Sequence, residues 1–385
     1  MGVKNVLIVV GVPDFDYLNE KSAVASFLTE LKKAFEINGD KVDFPLKSSY
    51  TSYISKDNSL TLKDKLKKTI KNWNWLYQSL SFGQYFRKQS ELIKHIPKEK
   101  KYDLIVEFYT VGSTLGMDLA KLYNVPFSVV FDSPVDEQFL EMYGTKTIYW
   151  SKIKRAEKES LEFASQIMAY SPECKLFIKD KYALKANISV LPCVINKGST
   201  ENNPKSDVFN IGFIGSFLSW HKVDMLVEAF SEFNQSHPDS RLQLIGYGKE
   251  WEAVKTQVEN LKLTKKIEMP GFVGESELLE YKKNFSIAVM PGSNWYGSPL
   301  KLFEYAQCGI PFIAPNTATV KSIFSNDIHC LYIDDEDELY SLIELMEVLY
   351  NDPNKARNIG RYSREFYFKE FSEEVYLRKL YNIFC

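Results

Sequence analysis

The sequence has few cysteines, no long apolar run and no strong excess of charge of either sign. Its five cysteines are odd in number, scattered and without metal-ligand spacing, which argues against a disulfide framework and indicates reduced thiols. No run approaches the ~20 apolar residues of a membrane-spanning helix, and the start of the chain has no cleavage site typical of a signal peptide. A net charge of −2 argues against a general nucleic-acid binder. We therefore expect a cytoplasmic protein that binds no nucleic acid.

Internal repeats and low-complexity tracts are also missing, and the remaining composition, 45% hydrophobic and 25% charged, is that of an ordinary globular protein. At 385 residues the chain exceeds a typical domain of ~100–200 residues, so two domains are expected. Short apolar runs, of which residues 6–10 are the first, alternate with helical patterns such as residues 22–38. This alternation favours parallel strands joined by right-handed crossovers, and hence an α/β fold.

Residues 286–315 place a strand, a helix start and another strand in close succession. Ser298 followed by Pro299 is a favourable start for a helix. A helix that starts after a parallel strand offers free backbone N–H groups and a positive dipole end, which suit a phosphate. Lys301 would add a positive charge in the first turn, and Glu304 shares its helix face. The alternative is an ordinary surface ion pair on an α/β helix.

The segment SPLKLFEYAQCGIPFIA, residues 298–314, resembles the donor-binding signature of family 4 glycosyltransferases. Members of that family are retaining enzymes with the GT-B fold, in which two Rossmann-like, doubly wound parallel-sheet domains face a central cleft. The resemblance implies that Glu304 binds the hydroxyls of the donor ribose. The family's first motif Glu, which contacts the transferred sugar, is replaced by Tyr296, with Asn294 and Trp295 beside it as alternative contacts.

The resemblance also implies that further loops of the second domain bind the donor. The family's phosphate-binding Arg is replaced by Ser216, so Lys222 and Lys301 are expected to supply the positive charge. For His221 the alternative is a helix-start residue without a ligand role, and for Phe272 it is core packing. The predicted donor-binding residues are Gly215, Ser216, His221, Lys222, Gly246, Phe272, Val273, Tyr296, Ser298, Pro299, Leu300, Lys301 and Glu304.

The expected donor is a nucleotide-diphosphate sugar, with UDP or GDP as the nucleotide, and it is a substrate rather than a cofactor. No metal ion and no cofactor are expected. The scattered cysteines lack the spacing of a metal site, and the acidic run at residues 334–338 suits a solvated helix start better than a cation.

Acidic residues follow the predicted strand at residues 126–131. Ligands of open α/β sheets bind at the carboxyl ends of the strands, and the resemblance implies an acidic residue there near the reacting sugar. Asp132 and Glu137 are therefore the predicted catalytic residues, with a helix N-cap as the alternative role of Asp132. The loop after the first strand offers acceptor contacts at Asp14, Asn19 and Glu20, for which solvated loop residues are the alternative.

Residues 56–101 carry twelve Lys or Arg against four Asp or Glu, with aromatic residues interleaved. A basic, aromatic segment can lie on an anionic membrane, which would place the protein at the inner face of a membrane. The alternative is a helical insertion whose aromatic residues face the core and whose lysines face water.

Four segments make up the predicted organisation. They are an acceptor-side domain over residues 1–193 with the insertion at about 56–101, a linker over 194–208, a nucleotide-sugar-binding domain over 209–368, and a helix over 369–385 that packs back on the first domain. The predicted activity is retaining transfer of a sugar from its nucleotide diphosphate to a hydroxyl of a glycan, a lipid-linked acceptor or a small molecule. The alternatives are a GT-B sugar-nucleotide epimerase and a non-catalytic subunit that binds sugar nucleotides.

Overall fold

The structure is a computed structural model that describes residues 4–12, 15, 22–45, 74–96, 99–196, 201–204 and 208–385. It divides into two compact units. The first unit comprises Met1–Pro192 and Leu377–Cys385, and the second comprises Cys193–Tyr376. Each unit is built on a six-stranded sheet.

All paired strands of the first sheet run parallel, as the alternation of apolar runs and helices predicts. Its strand order is β2-β1-β3-β4-β5-β6. The strands are β1 (Asn5–Val10), β2 (Lys41–Asp43), β3 (Leu104–Phe108), β4 (Phe127–Phe131), β5 (Gln166–Ala169) and β6 (Asn187–Val190). The central strands β3 and β4 are buried at every position, which explains why their sequences are continuous apolar runs rather than alternating ones.

Helices connect these strands and cover the sheet. They are α1 (Ala23–Ile37), α2 (Asn74–His95), α3 (Leu115–Tyr123), α4 (Val135–Tyr143), α5 (Trp150–Phe163) and α6 (Pro172–Lys181). The first begins after Ser22, whose hydroxyl accepts a hydrogen bond from the Ala25 N–H and so caps the helix. The last helix of the chain (Glu373–Phe384) belongs to this unit from Leu377 onwards. The ring of its Tyr381 lies 5.9 Å from the Phe35 ring.

Only part of the basic segment 56–101 lies within the described residues, as α2 and a few residues after it. Phe86 of this helix is buried, and the Phe82 ring lies 5.5 Å from the ring of Phe139. These two rings therefore face the interior, which is the packing expected of a helical insertion. Trp75, at the start of the helix, is exposed. None of the helices that the structure describes is both long and apolar enough to span a membrane.

The second sheet is also parallel, with the order β12-β11-β10-β7-β8-β9. Its strands are β7 (Asn210–Ile214), β8 (Arg241–Ile245), β9 (Ile267–Gly271), β10 (Ile287–Val289), β11 (Phe312–Pro315) and β12 (Leu331–Ile333). The helices are α7 (Val223–Ser236), α8 (Trp251–Asn260), α9 (Glu275–Asn284), α10 (Leu300–Cys308), α11 (Ala318–Lys321), α12 (Glu338–Asn351) and α13 (Pro353–Phe371). The last helix, α14 (Glu373–Phe384), counts with the first unit from Leu377 onwards.

The start of α10 differs from the prediction. The helix begins at Leu300, and Pro299, not Ser298, occupies the capping position. Among the residues that the structure describes, no side-chain hydrogen bond caps α10, and the Ser298 hydroxyl donates to the carbonyl of Cys193, 2.8 Å away. The predicted helix end is confirmed, since Gly309 adopts the left-handed conformation (φ 74°).

In each sheet the chain first adds strands on one side of its first strand and then continues on the other side. In the first sheet β2 and β3 lie on opposite sides of β1, and in the second sheet β8 and β10 lie on opposite sides of β7. The loops that leave the two neighbouring strands diverge there, and they leave a crevice at the carboxyl ends of the strands. The two crevices, β1/β3 and β7/β10, are the places where the fold favours a ligand.

Candidate functional site

Three residues meet at the β7/β10 crevice of the second unit. Lys301 of α10 places its Nζ 3.0 Å from Nε2 of His221, which ends a short 3-10 helix (Ser219–His221) after β7. The other ring nitrogen, Nδ1, lies 3.2 Å from the carbonyl of Gly292, which follows β10. Two of the predicted donor-binding residues, Lys301 and His221, are thus in direct contact.

This geometry determines the tautomer of His221. A carbonyl oxygen can only accept, so Nδ1 carries the proton and donates it to Gly292. An ammonium group can only donate, so Nε2 is the acceptor for Lys301. Burial, together with the positive charge of Lys301, lowers the pKa of His221 to about 3. His221 is therefore neutral near pH 7 and holds the lysine without repelling it.

The ammonium group of Lys301 has little access to solvent. Burial lowers its pKa to about 8, and the carboxylate of Glu304 opposes that shift. The group is still mostly protonated at pH 7, but its charge is poorly compensated. An anion placed beside it would restore that compensation.

Two glycines allow this close packing. A Cβ on Gly215, directly after β7, would lie 1.8 Å from Cε of Lys301. A Cβ on Gly246, directly after β8, would lie 1.9 Å from the carbonyl oxygen of Gly215. Glycine is therefore required at both positions, as close approach of backbone and side chain demands.

The two predicted phosphate lysines differ in their surroundings. Lys222 has a left-handed backbone (φ 48°) at the start of α7, and its ammonium pairs with Glu338 at the start of α12. Its charge is thus shared with a carboxylate, whereas Lys301 is held by a neutral imidazole. Ser216 stands half-buried between Gly215 and the short 3-10 helix.

Glu304, one turn along α10, forms an ion pair that the sequence did not reveal. Its Oε2 lies 2.5 Å from Nζ of Lys282 on α9. Lys282 is only 4% exposed, so its charge lies inside the unit and is compensated by this carboxylate. The pair fixes the orientation of the Glu304 side chain.

The remaining predicted donor residues fall into an exposed and a buried group. Phe272, directly after β9, is 83% exposed, and its ring lies 6.3 Å from that of Tyr247, which follows β8. Core packing is therefore wrong as an account of Phe272, and Val273 beside it is half-buried. Tyr296 is only 1% exposed and packs edge-on against Trp295. The Tyr296 ring is thus almost completely enclosed by the protein.

The predicted catalytic residues lie in the first unit, after β4. The carboxylate of Asp132 accepts a hydrogen bond from the Ser133 hydroxyl, 3.0 Å away. Burial raises the pKa of Asp132 to about 6. The alternative role of Asp132 as a helix N-cap is wrong, because α4 begins at Val135 with Pro134 in the capping position. Glu137 lies half-buried in the first turn of α4.

The predicted acceptor residues Asp14, Asn19 and Glu20 lie outside the described residues, and nothing is derived for them. Within the described ranges, no three His, Cys, Asp or Glu side chains come together in a way that could hold a metal ion.

Two residues of the second unit were missed from the sequence. Gly292 is not among the predicted donor-binding residues, yet its carbonyl orients His221. Lys282 belongs to a polar helix, where a lysine is expected to face water. The sequence signal that identifies Gly292 is its place in the loop that follows an apolar strand, and Lys282 has no comparable signal.

Comparison with known sequence families gives a match for part of the chain. Residues 195–366, most of the second unit, match the sequence profile of the family described as Glycosyl transferases group 1. A search of curated protein sequences found no relative that matches the chain.

Several solved structures share the fold at low sequence identity. Sucrose-phosphate synthase from Thermosynechococcus elongatus is 17% identical with a TM-score of 0.69, over 99% of this chain and 98% of that one. HepE from Anabaena, in complex with UDP and glucose, is 14% identical with a TM-score of 0.69, over 98% and 97% of the two chains. A variant of S. aureus TarM, in complex with fondaparinux, alpha-GlcNAc-glycerol and UDP, is 16% identical with a TM-score of 0.61, over 77% of this chain. The match covers 58% of the TarM chain, so this chain spans less than two thirds of that protein's length.

The two parallel sheets and these likenesses establish the two-domain α/β GT-B fold that the sequence predicts. At the level of sequence, the likeness to group 1 glycosyltransferases covers residues 195–366, less than half of the chain.

Proposed function

We propose that the protein transfers a sugar, with retention of configuration, from a nucleotide-diphosphate sugar to a hydroxyl acceptor. The nucleotide is UDP or GDP. The observation that carries this proposal is the Lys301 ammonium at the β7/β10 crevice of a group 1 glycosyltransferase domain, held by a neutral His221 with its charge poorly compensated. Crevices of this kind bind the ligand in doubly wound folds.

Lys301 acts on the leaving group. As the bond between the anomeric carbon and the diphosphate breaks, negative charge develops on the diphosphate oxygens. A cation that is already positioned beside those oxygens stabilises that charge without further reorganisation. Lys222 contributes a second charge after exchanging part of its contact with Glu338 for a phosphate oxygen.

Glu304 and Phe272 recognise the nucleoside. The carboxylate of Glu304 is oriented by Lys282 and accepts hydrogen bonds from the ribose hydroxyls. The exposed ring of Phe272 stacks on the base, a contact that removes its apolar face from water. Tyr296 has no direct role in this assignment because it is buried.

The acceptor hydroxyl attacks the anomeric carbon on the face from which the diphosphate leaves, and its proton passes to a diphosphate oxygen. No protein nucleophile is required. Asp132, which burial keeps partly protonated near pH 6 by raising its pKa, hydrogen-bonds the acceptor hydroxyl or a sugar hydroxyl. Glu137 is a second carboxylate in the same part of the first unit.

The test incubates the full chain with radiolabelled UDP-sugars and GDP-sugars, with and without glycan, lipid-linked and small-molecule acceptors. Radiolabel that appears in an acceptor, with the anomeric configuration of the donor by NMR, supports the proposal. Conversion of the donor without an acceptor would indicate an epimerase, and binding without turnover would indicate a non-catalytic subunit. Inverted configuration in the product would refute retention but not transfer.

A further inference from the structure

A cavity of about 370 Å³ opens in the first unit at the β1/β3 crevice. Val12, after β1, and Thr110 and Val111, after β3, form one side of it, and residues of α2 and α4 form the other. The cavity therefore occupies the place in the first sheet where the fold favours a ligand. It lies entirely within described residues of one unit.

Aromatic rings form the walls of the cavity. The Phe139 ring lies 5.5 Å from Phe82 and 4.7 Å from Tyr143, and Phe82 lies 5.6 Å from Tyr85. Each ring thus contacts at least one other ring of the wall. Interlocked rings of this kind keep the cavity open without needing a ligand to shape it.

The polar groups of the wall are used inside the protein. The Tyr85 hydroxyl accepts from Nε2 of Gln89, 2.8 Å away, and lies 3.5 Å from the Thr110 hydroxyl. The Gln138 amide lies 3.1 Å from the Ser133 hydroxyl. A sugar ring needs several polar partners that converge on it. The Tyr85 hydroxyl is already engaged, the single Ser133 proton serves either Asp132 or Gln138, and six of the ten lining residues are aromatic or aliphatic. The cavity therefore suits an apolar group better than a sugar ring.

The wall is connected to the predicted catalytic carboxylate. Gln138 contacts the hydroxyl of Ser133, and that hydroxyl also lies 3.0 Å from the carboxylate of Asp132. Two side chains, Gln138 and Ser133, thus link the cavity to Asp132. A molecule in the cavity would lie two side chains away from the carboxylate assigned to the acceptor.

We propose that this cavity binds the apolar group of a hydroxyl acceptor, an alkyl chain or a single aromatic ring attached close to the hydroxyl that receives the sugar. This inference rests on the proposed function and names its acceptor class. The volume lies at the low end of small-molecule sites, about 300–1,000 Å³, so a short chain or a ring fits and an oligosaccharide does not. The cavity distinguishes acceptors by their apolar part.

The test compares two probes that share a polar head, methyl β-D-glucoside and n-hexyl β-D-glucoside. Their dissociation constants for the full chain are measured by ligand-observed NMR, without nucleotide. Each methylene that is buried should tighten binding about fourfold, so we expect the hexyl compound to bind at least tenfold more tightly. Equal affinities would overturn the proposal.

Two variants locate the binding site. Ser81→Trp and Val111→Phe each place a larger side chain in the cavity wall and should remove the preference for the hexyl compound. Leu80→Trp is the matched control, because Leu80 neighbours Ser81 on α2 but is 53% exposed. Circular dichroism and thermal unfolding establish that each variant is folded. A preference that survives in both folded cavity variants would overturn the proposal.

Nucleotide binding separates this inference from the proposed function. UDP and GDP affinities are measured by calorimetry on the same samples. If neither nucleotide binds but the hexyl preference holds and depends on Ser81, the proposed function fails and the cavity remains an apolar ligand site. If a nucleotide binds and transfer occurs without any preference for an apolar acceptor, the cavity proposal fails alone.

Discussion

Replacing Lys301 with Met should weaken nucleotide-diphosphate binding about ten- to a hundredfold. The ammonium is held 3.0 Å from Nε2 of a neutral His221, so it is oriented before a ligand arrives. A hydrogen bond to a charged group contributes about 1.5–3 kcal/mol, which corresponds to that range of dissociation constants. Methionine preserves the length and the apolar part of the side chain and removes only the charge.

The pH dependence of binding should change in the same variant. Burial lowers the pKa of Lys301 to about 8, so the free protein loses this charge as the pH rises through that value. The affinity of the wild-type protein for UDP or GDP should therefore fall above pH 8. The Met variant has no proton to lose at this position and should show a flatter profile.

Stability provides an independent measurement of the same desolvation. Between pH 8 and pH 10.5 the unfolded chain keeps the Lys301 proton that the folded chain has released, so this lysine makes wild-type stability rise with pH. The full shift in pKa corresponds to at most about 3 kcal/mol, and less for a side chain that is only half-buried. Methionine also leaves Nε2 of His221 without a hydrogen-bond donor, which lowers the stability of the variant. That loss hardly varies with pH over this interval, so it does not affect how the difference in stability between wild type and variant changes with pH.

The assay is calorimetry with UDP and GDP between pH 6.5 and 9.5, combined with denaturant unfolding over the same range. Lys265→Met is the control, because Lys265 is exposed at the amino end of the edge strand β9, whereas the crevice lies at the carboxyl ends of the central strands β7 and β10. Unchanged nucleotide affinity in Lys301→Met would refute its role as a phosphate ligand. If the difference in unfolding free energy between wild type and Lys301→Met does not vary with pH, Lys301 is not desolvated, and the argument for its role as a phosphate ligand fails.

Three further predictions concern the nucleoside contacts and the basic segment. Lys282→Met should weaken UDP binding severalfold in calorimetry, because it releases the Glu304 carboxylate. A 2′,3′-dideoxy nucleotide, which lacks the ribose hydroxyls, should lose less affinity in this variant. Lys283→Met, on the exposed side of the same helix, is the control and should bind UDP as the wild type does. Phe272→Ala should weaken nucleotide binding by about 1–3 kcal/mol, the range for stacking on a base, and leave pyrophosphate binding unchanged; equal losses for both ligands would refute stacking. In liposome flotation the full chain should float with anionic but not neutral vesicles if residues 56–101 contact membranes, and equal behaviour would end that hypothesis.

The fold could be predicted from the sequence because its signals are local. A parallel strand covered on both faces requires a continuous apolar run, and β3, β4 and β10 each have one. The end of α10 could be predicted because Gly309 alone accepts the left-handed conformation there without cost. Such features depend on a few neighbouring residues, and the pattern along the chain contains them in full.

The contacts that orient the site join residues far apart in sequence. Lys222 pairs with Glu338 across 116 positions, and Lys282 pairs with Glu304 across 22. The pattern around Lys282 predicts a solvated helix face, and only the tertiary packing buries it. Ser298 shows the same limit, since its hydroxyl contacts the carbonyl of Cys193, 105 positions away, while the helix begins only at Leu300. A local motif specifies which contacts are possible, and packing decides among them.

The two crevices have opposite chemistry, and this contrast has a consequence for specificity. The β7/β10 crevice presents a cation whose charge is poorly compensated, whereas the β1/β3 crevice presents walls formed mainly by aromatic and aliphatic side chains. A charged ligand gains nothing from the second, because it would lose hydration without finding a partner, and an apolar group gains nothing from the first. The nucleotide and the apolar part of the acceptor should therefore be selected by separate residues. It follows that Ser81→Trp should leave UDP affinity unchanged. Lys301→Met should likewise leave the preference for n-hexyl over methyl β-D-glucoside unchanged. A single shared ligand site could not produce both of these results.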